Sequence, residues 1–117
     1  MLFARIRRTN LYEERIYTIM PGKMADIERR FAQHTMRLFE KHGIKVVGFW
    51  KTAIGRQNFE LVYILEYKDA NDRMEKWEAF MKDPDWIKAR NESETHGPLV
   101  AQVENKILVP LSFSPLK

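Results

Sequence analysis

An imidazole with an ordinary pKa near 6.5 can give or take a proton at neutral pH, so His34 is the first residue to weigh. On an ideal helix, at about 100° per residue, it falls almost in line with Ile27, Phe31 and Leu38, which turns its ring toward whatever that apolar stripe meets. Such a histidine is either a core residue satisfied by a carbonyl or a tyrosine hydroxyl, or a pocket-lining acid, base or ligand. Glu13, Arg15 and Tyr17 form a second set, because alternate residues of an extended chain share one face. They can be a cross-strand ion pair and a rim hydroxyl; equally, a guanidinium beside a phenol can hold an anionic or phenolic substrate through directed hydrogen bonds. Trp50 and Tyr63 would add aromatic walls to such a site or simply fill the core. The candidate substrate-binding residues are therefore Arg15, Tyr17, His34, Trp50 and Tyr63, with His34 the catalytic candidate. Arg73 reads as structural, paired with Asp69, Asp72 or the edge of a sheet.

Several other chemistries are excluded by residue type and spacing. The sequence has no cysteine, which removes disulfide scaffolds, thiolate nucleophiles and thiolate metal sites, and fits a reducing, cytoplasmic setting. Gly22, Gly43, Gly48, Gly55 and Gly97 are too dispersed for a phosphate loop or a dinucleotide fingerprint. Serines occur at Ser93, Ser112 and Ser114 without a nucleophile elbow. His34 and His42 lie about 12 Å apart along a helix, too far to share one zinc ion. Whether His96 approaches either is not readable from spacing, and axial haem ligation by His34 or His96 is the weakest of the possibilities. The expectation is no metal and no cofactor.

The net charge of +4 looks like a nucleic-acid signal until the charges are located. Arg5, Arg7 and Arg8 account for three of the 20 basic residues, so the remainder nearly balances the 16 acidic ones. No continuous basic stripe with interleaved aromatics is visible, and no nucleic-acid partner is expected. Neither is a membrane, since no apolar run approaches the roughly 18 residues of a spanning helix. At 117 residues with 44% hydrophobic content, the chain suits one packed domain. Residues 1–10 are expected to be a flexible basic tail, 11–110 the domain, and 111–117 a C-terminal tail.

The elements that must position these residues follow from periodicity. Residues 12–20 alternate and stop at Pro21-Gly22, as a strand entering a turn does. From Lys23 to His42, Met24, Ile27, Phe31, Leu38 and, at the edge, Phe39 recur at helical spacing before a capping Gly43. The runs 44–54 and 59–67 read as a hairpin around Gly55-Arg56-Gln57-Asn58. Asp69 can cap a helix over 69–81 carrying Ala70, Met74, Trp77 and Met81, and Asp83-Pro84-Asp85 can start another that ends before Gly97-Pro98. A last strand spans 99–109. The order predicts an α+β, ferredoxin-like β-α-β-β-α-β domain with a four-stranded antiparallel sheet covered by helices on one face. Alternation in the hairpin places Val47, Phe49, Val62 and Ile64 in one set and Trp50, Leu61, Tyr63 and Leu65 in the other, so both faces are apolar. One helical layer cannot hide both, which predicts a homodimer formed sheet to sheet.

Several strings, taken together and in order, resemble the NIPSNAP family. They are Tyr12-Glu13-x-Arg15-x-Tyr17-Thr18, then Pro21-Gly22-Lys23, then Gly43-Ile44-x-x-Val47-Gly48-Phe49-Trp50-x-Thr52-x-x-Gly55. Asn58, Arg73, Asp83-Pro84-Asp85-Trp86 and Ile107-Leu108-x-Pro110 complete the match from about Tyr12 to Pro110. The resemblance implies a dimeric α/β barrel in which two ferredoxin-like sheets face one another, and an activity that the family does not define. Related barrels include cofactor-independent monooxygenases and isomerases. Three functions follow: a small-molecule-binding homodimer with its pocket between sheet and helices, a cofactor-independent monooxygenase or isomerase acting on an aromatic or polyketide-like substrate, or a non-enzymatic interaction module.

Overall fold

The structure, a computed structural model, describes residues 9–117; the basic residues of the N-terminal segment lie outside the described part. Four strands, β1 (Leu11–Ile19), β2 (Lys45–Lys51), β3 (Glu60–Tyr67) and β4 (Val100–Leu108), form one antiparallel sheet in the order β2-β3-β1-β4. Between β1 and β2 the chain is helical over α1 (Met24–Arg30), a π-helical turn (Phe31–Thr35) and α2 (Met36–Lys41). Two further helices, α3 (Ala70–Lys82) and α4 (Pro84–Ser93), link β3 to β4. This is the α+β, ferredoxin-like arrangement expected from the element order.

Local signals act as their chemistry requires. Asp69 accepts the backbone N–H of Asp72 at the start of α3, and Asp83 accepts that of Asp85 at the start of α4, where Pro84 opens the first turn. Gly43 takes the left-handed φ of +71° that ends α2. Asp83 does more than cap. Its carboxylate lies 2.6 Å from His42 Nε2 and 2.8 Å from Lys41 Nζ, tying the end of α2 to the start of α4, and hydrogen bonds from Lys41 and His42 hold it well below the usual aspartate range.

The core lies between the sheet and its helical layer. Ile27, Leu38, Phe39, Tyr63, Leu65, Phe80 and Leu99 are essentially inaccessible, so Phe39 is central and not at the edge of its stripe. Two places depart from simple periodicity. The π turn accommodates one extra residue, which delays the helical phase by about one position, or about 100°. Thr35 thereby takes the inward place that an ideal helix would give His34. In β2 a bulge between Val46 and Gly48 sets the hairpin register so that Phe49 faces Tyr63 and Trp50 faces Val62.

The second departure corrects the face assignment. Phe49 stacks on Tyr63 with centroids 4.9 Å apart and belongs to the helix-covered face with Leu61 and Leu65. Trp50 belongs with Val62 and Ile64 on the other face, where it is 53% exposed with its indole folded over Gly48. Parity within one strand is legible in sequence; parity between strands depends on the turn and on any bulge. Strand β2 also ends at Lys51, earlier than expected, leaving Ile54 exposed in the connection.

Candidate functional site

Three successive inward positions of β1 carry Glu13, Arg15 and Tyr17, opposite Leu65, Tyr63 and Leu61 of β3 and Ile107, Asn105 and Val103 of β4. The sheet thus buries a polar row beneath the helices. Glu13 is fully buried, and its carboxylate accepts from Arg15 Nη1 at 3.0 Å, Arg73 Nε and Nη2 at 2.9 and 3.0 Å, and Asn105 Nδ2 at 2.8 Å. Burial alone would raise this carboxyl; the hydrogen bonds from Arg73 and Asn105 and the two guanidinium charges outweigh it and lower its pKa. Arg15 Nε donates to the Tyr63 hydroxyl at 2.7 Å, and the Tyr63 and Tyr17 hydroxyls share a further 2.7 Å hydrogen bond. Burial pulls the Arg15 guanidinium down, but Tyr63, Tyr17 and Glu13 together push it above the ordinary arginine value. Its flat side lies 4.3 Å from the centroid of Trp77. Burial raises the Tyr63 phenol, which stays protonated at any physiological pH.

This row ends at a cavity of about 290 Å³ between the sheet and the helices. Arg15 and Tyr17 form its sheet side; Thr35, Phe39, Trp77, Phe80 and Trp86 supply most of the helical side. Arg30, at the end of α1, also lines it and is 5% exposed. Its environment differs from that of Arg15. Its Nη1 donates to Ser93 Oγ at 3.2 Å and reaches Glu94 only at 3.5 Å, while its Nε is buried without a partner. Burial lowers its pKa, and the partial compensation by Tyr17 and Glu94 does not reverse that.

Comparison with known proteins decides the family. The NIPSNAP family model matches residues 12–115. The chain belongs to the NIPSNAP family. It is 29% identical to the protein NipSnap of Drosophila melanogaster over 106 residues, covering 91% of this chain and 37% of that protein. It is 28% identical to NipSnap homolog 2 of Homo sapiens over 110 residues, covering 92% of this chain and 36% of that one. The chain therefore spans little more than a third of these curated relatives. Among solved structures, a NIPSNAP family protein of unknown function from Agrobacterium tumefaciens superposes with a TM-score of 0.83 at 28% identity, covering 95% of this chain and 96% of that one. A NIPSNAP-like domain protein from Burkholderia xenovorans gives 0.82 at 28% identity, with 93% and 91% covered. SnoaB, a cofactor-independent oxygenase from Streptomyces nogalater, gives 0.59 at 14% identity over 92% of this chain and 98% of its own, a likeness of fold alone.

Of the five residues singled out in this NIPSNAP sequence, Arg15, Tyr17 and Tyr63 come together as one hydrogen-bonded chain. Trp50 does not join them, being on the opposite face of the sheet. His34 is also elsewhere. It is half-buried on the flank of the π turn and faces two hollows bordered by α4, one shared with His96 and Arg29 and the other with Arg37, Asp85 and Lys88. The expectation that it points at the sheet fails because of the π turn. Arg73 forms an ion pair, with Glu13 of the inner strand β1 in place of the expected Asp69, Asp72 or sheet edge.

Arg30, Thr35, Trp77, Trp86 and Asn105 were not anticipated as parts of this region. Arg30 carried a readable signal, an arginine three residues after Ile27 and one before Phe31 on the inward stripe. Among the described residues no group of His, Asp and Glu is arranged to hold a metal ion, and no helix is long and apolar enough to cross a membrane.

Proposed function

We propose that this NIPSNAP protein binds a small organic molecule in the cavity between sheet and helices. The observation that carries the reading is the combination of aromatic walls with Arg15, Arg30 and the Tyr17 hydroxyl around one concave space. Ligand sites are mostly apolar hollows of about 300–1,000 Å³ with a few placed polar groups, and this cavity lies at the small end of that range. Native mass spectrometry of the protein as purified tests it. A retained small molecule that is lost from Val100→Phe, which narrows the cavity wall, is the expected result; none retained, and none bound from a metabolite extract, removes the reading.

A second reading, a cofactor-independent monooxygenase or isomerase, is favoured by one specific feature. Tyr17 lines the cavity while its hydroxyl is hydrogen-bonded to Tyr63, which is held by Arg15, so a proton can be exchanged with a ligand at a fixed position. His34 does not line this cavity. Oxygen uptake or isomerisation of a bound phenolic compound that disappears in Tyr17→Phe, while binding persists, supports it; unchanged turnover discards it.

The same reading includes a homodimer in the cytoplasm. Ile16, Val62 and Ile64 on the uncovered sheet face are half-buried, and Trp50 and Leu108 are exposed, so a second copy offers an equally apolar surface to meet it. Light scattering should give twice the 14.0 kDa of the chain at micromolar concentration, persisting in high salt because screening acts only on the charged rim. A monomer mass overturns this part.

A further inference from the structure

The buried polar groups of this molecule fall into two kinds. At Glu13 the carboxylate is fully answered within the protein, by hydrogen bonds of 2.8–3.0 Å from Arg15, Arg73 and Asn105. Around Arg30 the donors are not all answered. Arg30 Nε and Trp86 Nε1 are both buried N–H donors without an acceptor, and Arg30 and Trp86, residues 5% and 7% exposed, are both among those lining the same cavity. The Arg30 guanidinium carbon lies 5.2 Å from the Trp86 ring centroid, so the two orphan donors belong to one locality. Orphaned buried donors are uncommon, because each forfeits the hydrogen bonds it made to water, and a guanidinium is the costliest place for one.

Charge at the cavity points the same way. Apart from Arg15, which is paired with Glu13, Arg30 and Arg90 line it against Glu94 alone, an excess of positive charge before a ligand arrives. Glu94 lies just past the end of α4, half-exposed, and its carboxylate is 3.5 Å from Arg30 Nη1, too long for a strong charge-assisted bond. A carboxylate so placed answers Arg30 incompletely and competes with any anion that approaches it. Apart from the hydroxyls of Tyr17 and Thr35, the remaining wall is apolar and largely aromatic, with Phe39, Trp77, Phe80, Val100 and Val103, which suits a flat hydrophobic body better than a phosphate or another fully hydrated ion.

From this we infer that the cavity takes a small aromatic carboxylate, its carboxylate received at Arg30 beside Trp86 and its ring held among the aromatic walls. This rests on the cavity being a ligand site and names the class of ligand. Arg15 is the lesser anion receptor, because Glu13 and Tyr63 already hold its Nη1 and Nε. Glu94 is a displaceable counter-ion, so its charge works against binding.

The test titrates the full chain with benzoate, with its neutral isostere benzamide, and with acetate, following the fluorescence of the cavity tryptophans and the heat of binding. Benzoate should bind at least ~10-fold more tightly than either, because benzamide lacks the charge and acetate the ring. Arg30→Gln should weaken benzoate by ~10-fold or more, and Trp86→Phe by a few-fold through one lost donor. Glu94→Gln, at a half-exposed position where folding is not at risk, should tighten benzoate by a few-fold. Benzamide binding as tightly as benzoate, or Glu94→Gln leaving benzoate unchanged or weaker, overturns the inference. If Val100→Phe then abolishes both ligands, the cavity is still a binding site and only the anion assignment falls. Failure of all three probes, with a neutral molecule retained in the purified protein, has the same meaning; failure of all three with nothing retained removes both.

Discussion

Arg30 borders two hollows, and they differ in what surrounds their polar groups. On the inner side is the cavity of about 290 Å³ floored by Arg15 and Tyr17; on the outer side is an open hollow of about 350 Å³ between α1 and the end of α4, which holds His34 and His96. The outer one is larger and richer in titratable side chains, but Arg29, Gln33, Glu92, Thr95 and His96 on its wall are exposed. Charges there remain in water, where each is screened and replaceable. The inner one has fewer ionisable groups, and its two buried guanidiniums contrast: Arg15 is matched by Glu13, Arg30 is left partly unmatched. Burial gives a polar group its chemical consequence, and residue type by itself is a poor guide to where that happens.

The comparison is broken most directly at Glu13. Glu13→Gln removes the charge that Arg15 and Arg73 share in a dry interior, and should cost about 3–5 kcal/mol in urea unfolding, the range for breaking a buried ion pair. A loss below about 1 kcal/mol, the range of exposed pairs, would place Glu13 among solvated groups after all. Tyr63→Phe should cost less, about 1–3 kcal/mol, by leaving Arg15 Nε without its acceptor and Tyr17 without its partner.

Acid unfolding sharpens the same contrast. Because the Glu13 pKa is lowered in the folded protein, its contribution is complete above the ordinary glutamate value near 4.3 and is lost as pH falls toward the lowered one. Asp83, lowered by Lys41 and His42, adds to the same acid limb. Stability measured between about pH 5 and pH 2 should therefore fall in the parent protein and fall less steeply in Glu13→Gln. The smallest effect is expected at the outer hollow, where His34→Gln should change stability by no more than about 0.5 kcal/mol, as ordinary surface substitutions do, and leave ligand retention intact. Loss of the ligand in that variant would move the site outward and reverse the comparison.

Much of this molecule could be read from spacing. The strand and helix order, the caps Asp69 and Asp83, and the shared face of Glu13, Arg15 and Tyr17 all follow from local rules, because alternation and capping depend on residues a few positions apart. Period alone therefore specified an α+β ferredoxin-like domain and an inward polar row. Pairing with Tyr63 in β3, and the arrival of Arg73 and Asn105 on Glu13, were decided by the sheet register and the helical layer, which join residues 48 to 92 positions apart. The π turn that exchanges His34 for Thr35 and the bulge that sends Trp50 to the open face each shift a periodic pattern by one residue. A one-residue shift leaves composition and local propensity almost unchanged but moves a side chain to another face, so only the packed structure could tell that His34 and Trp50 lie away from the cavity and that Arg30, Trp77 and Trp86 line it.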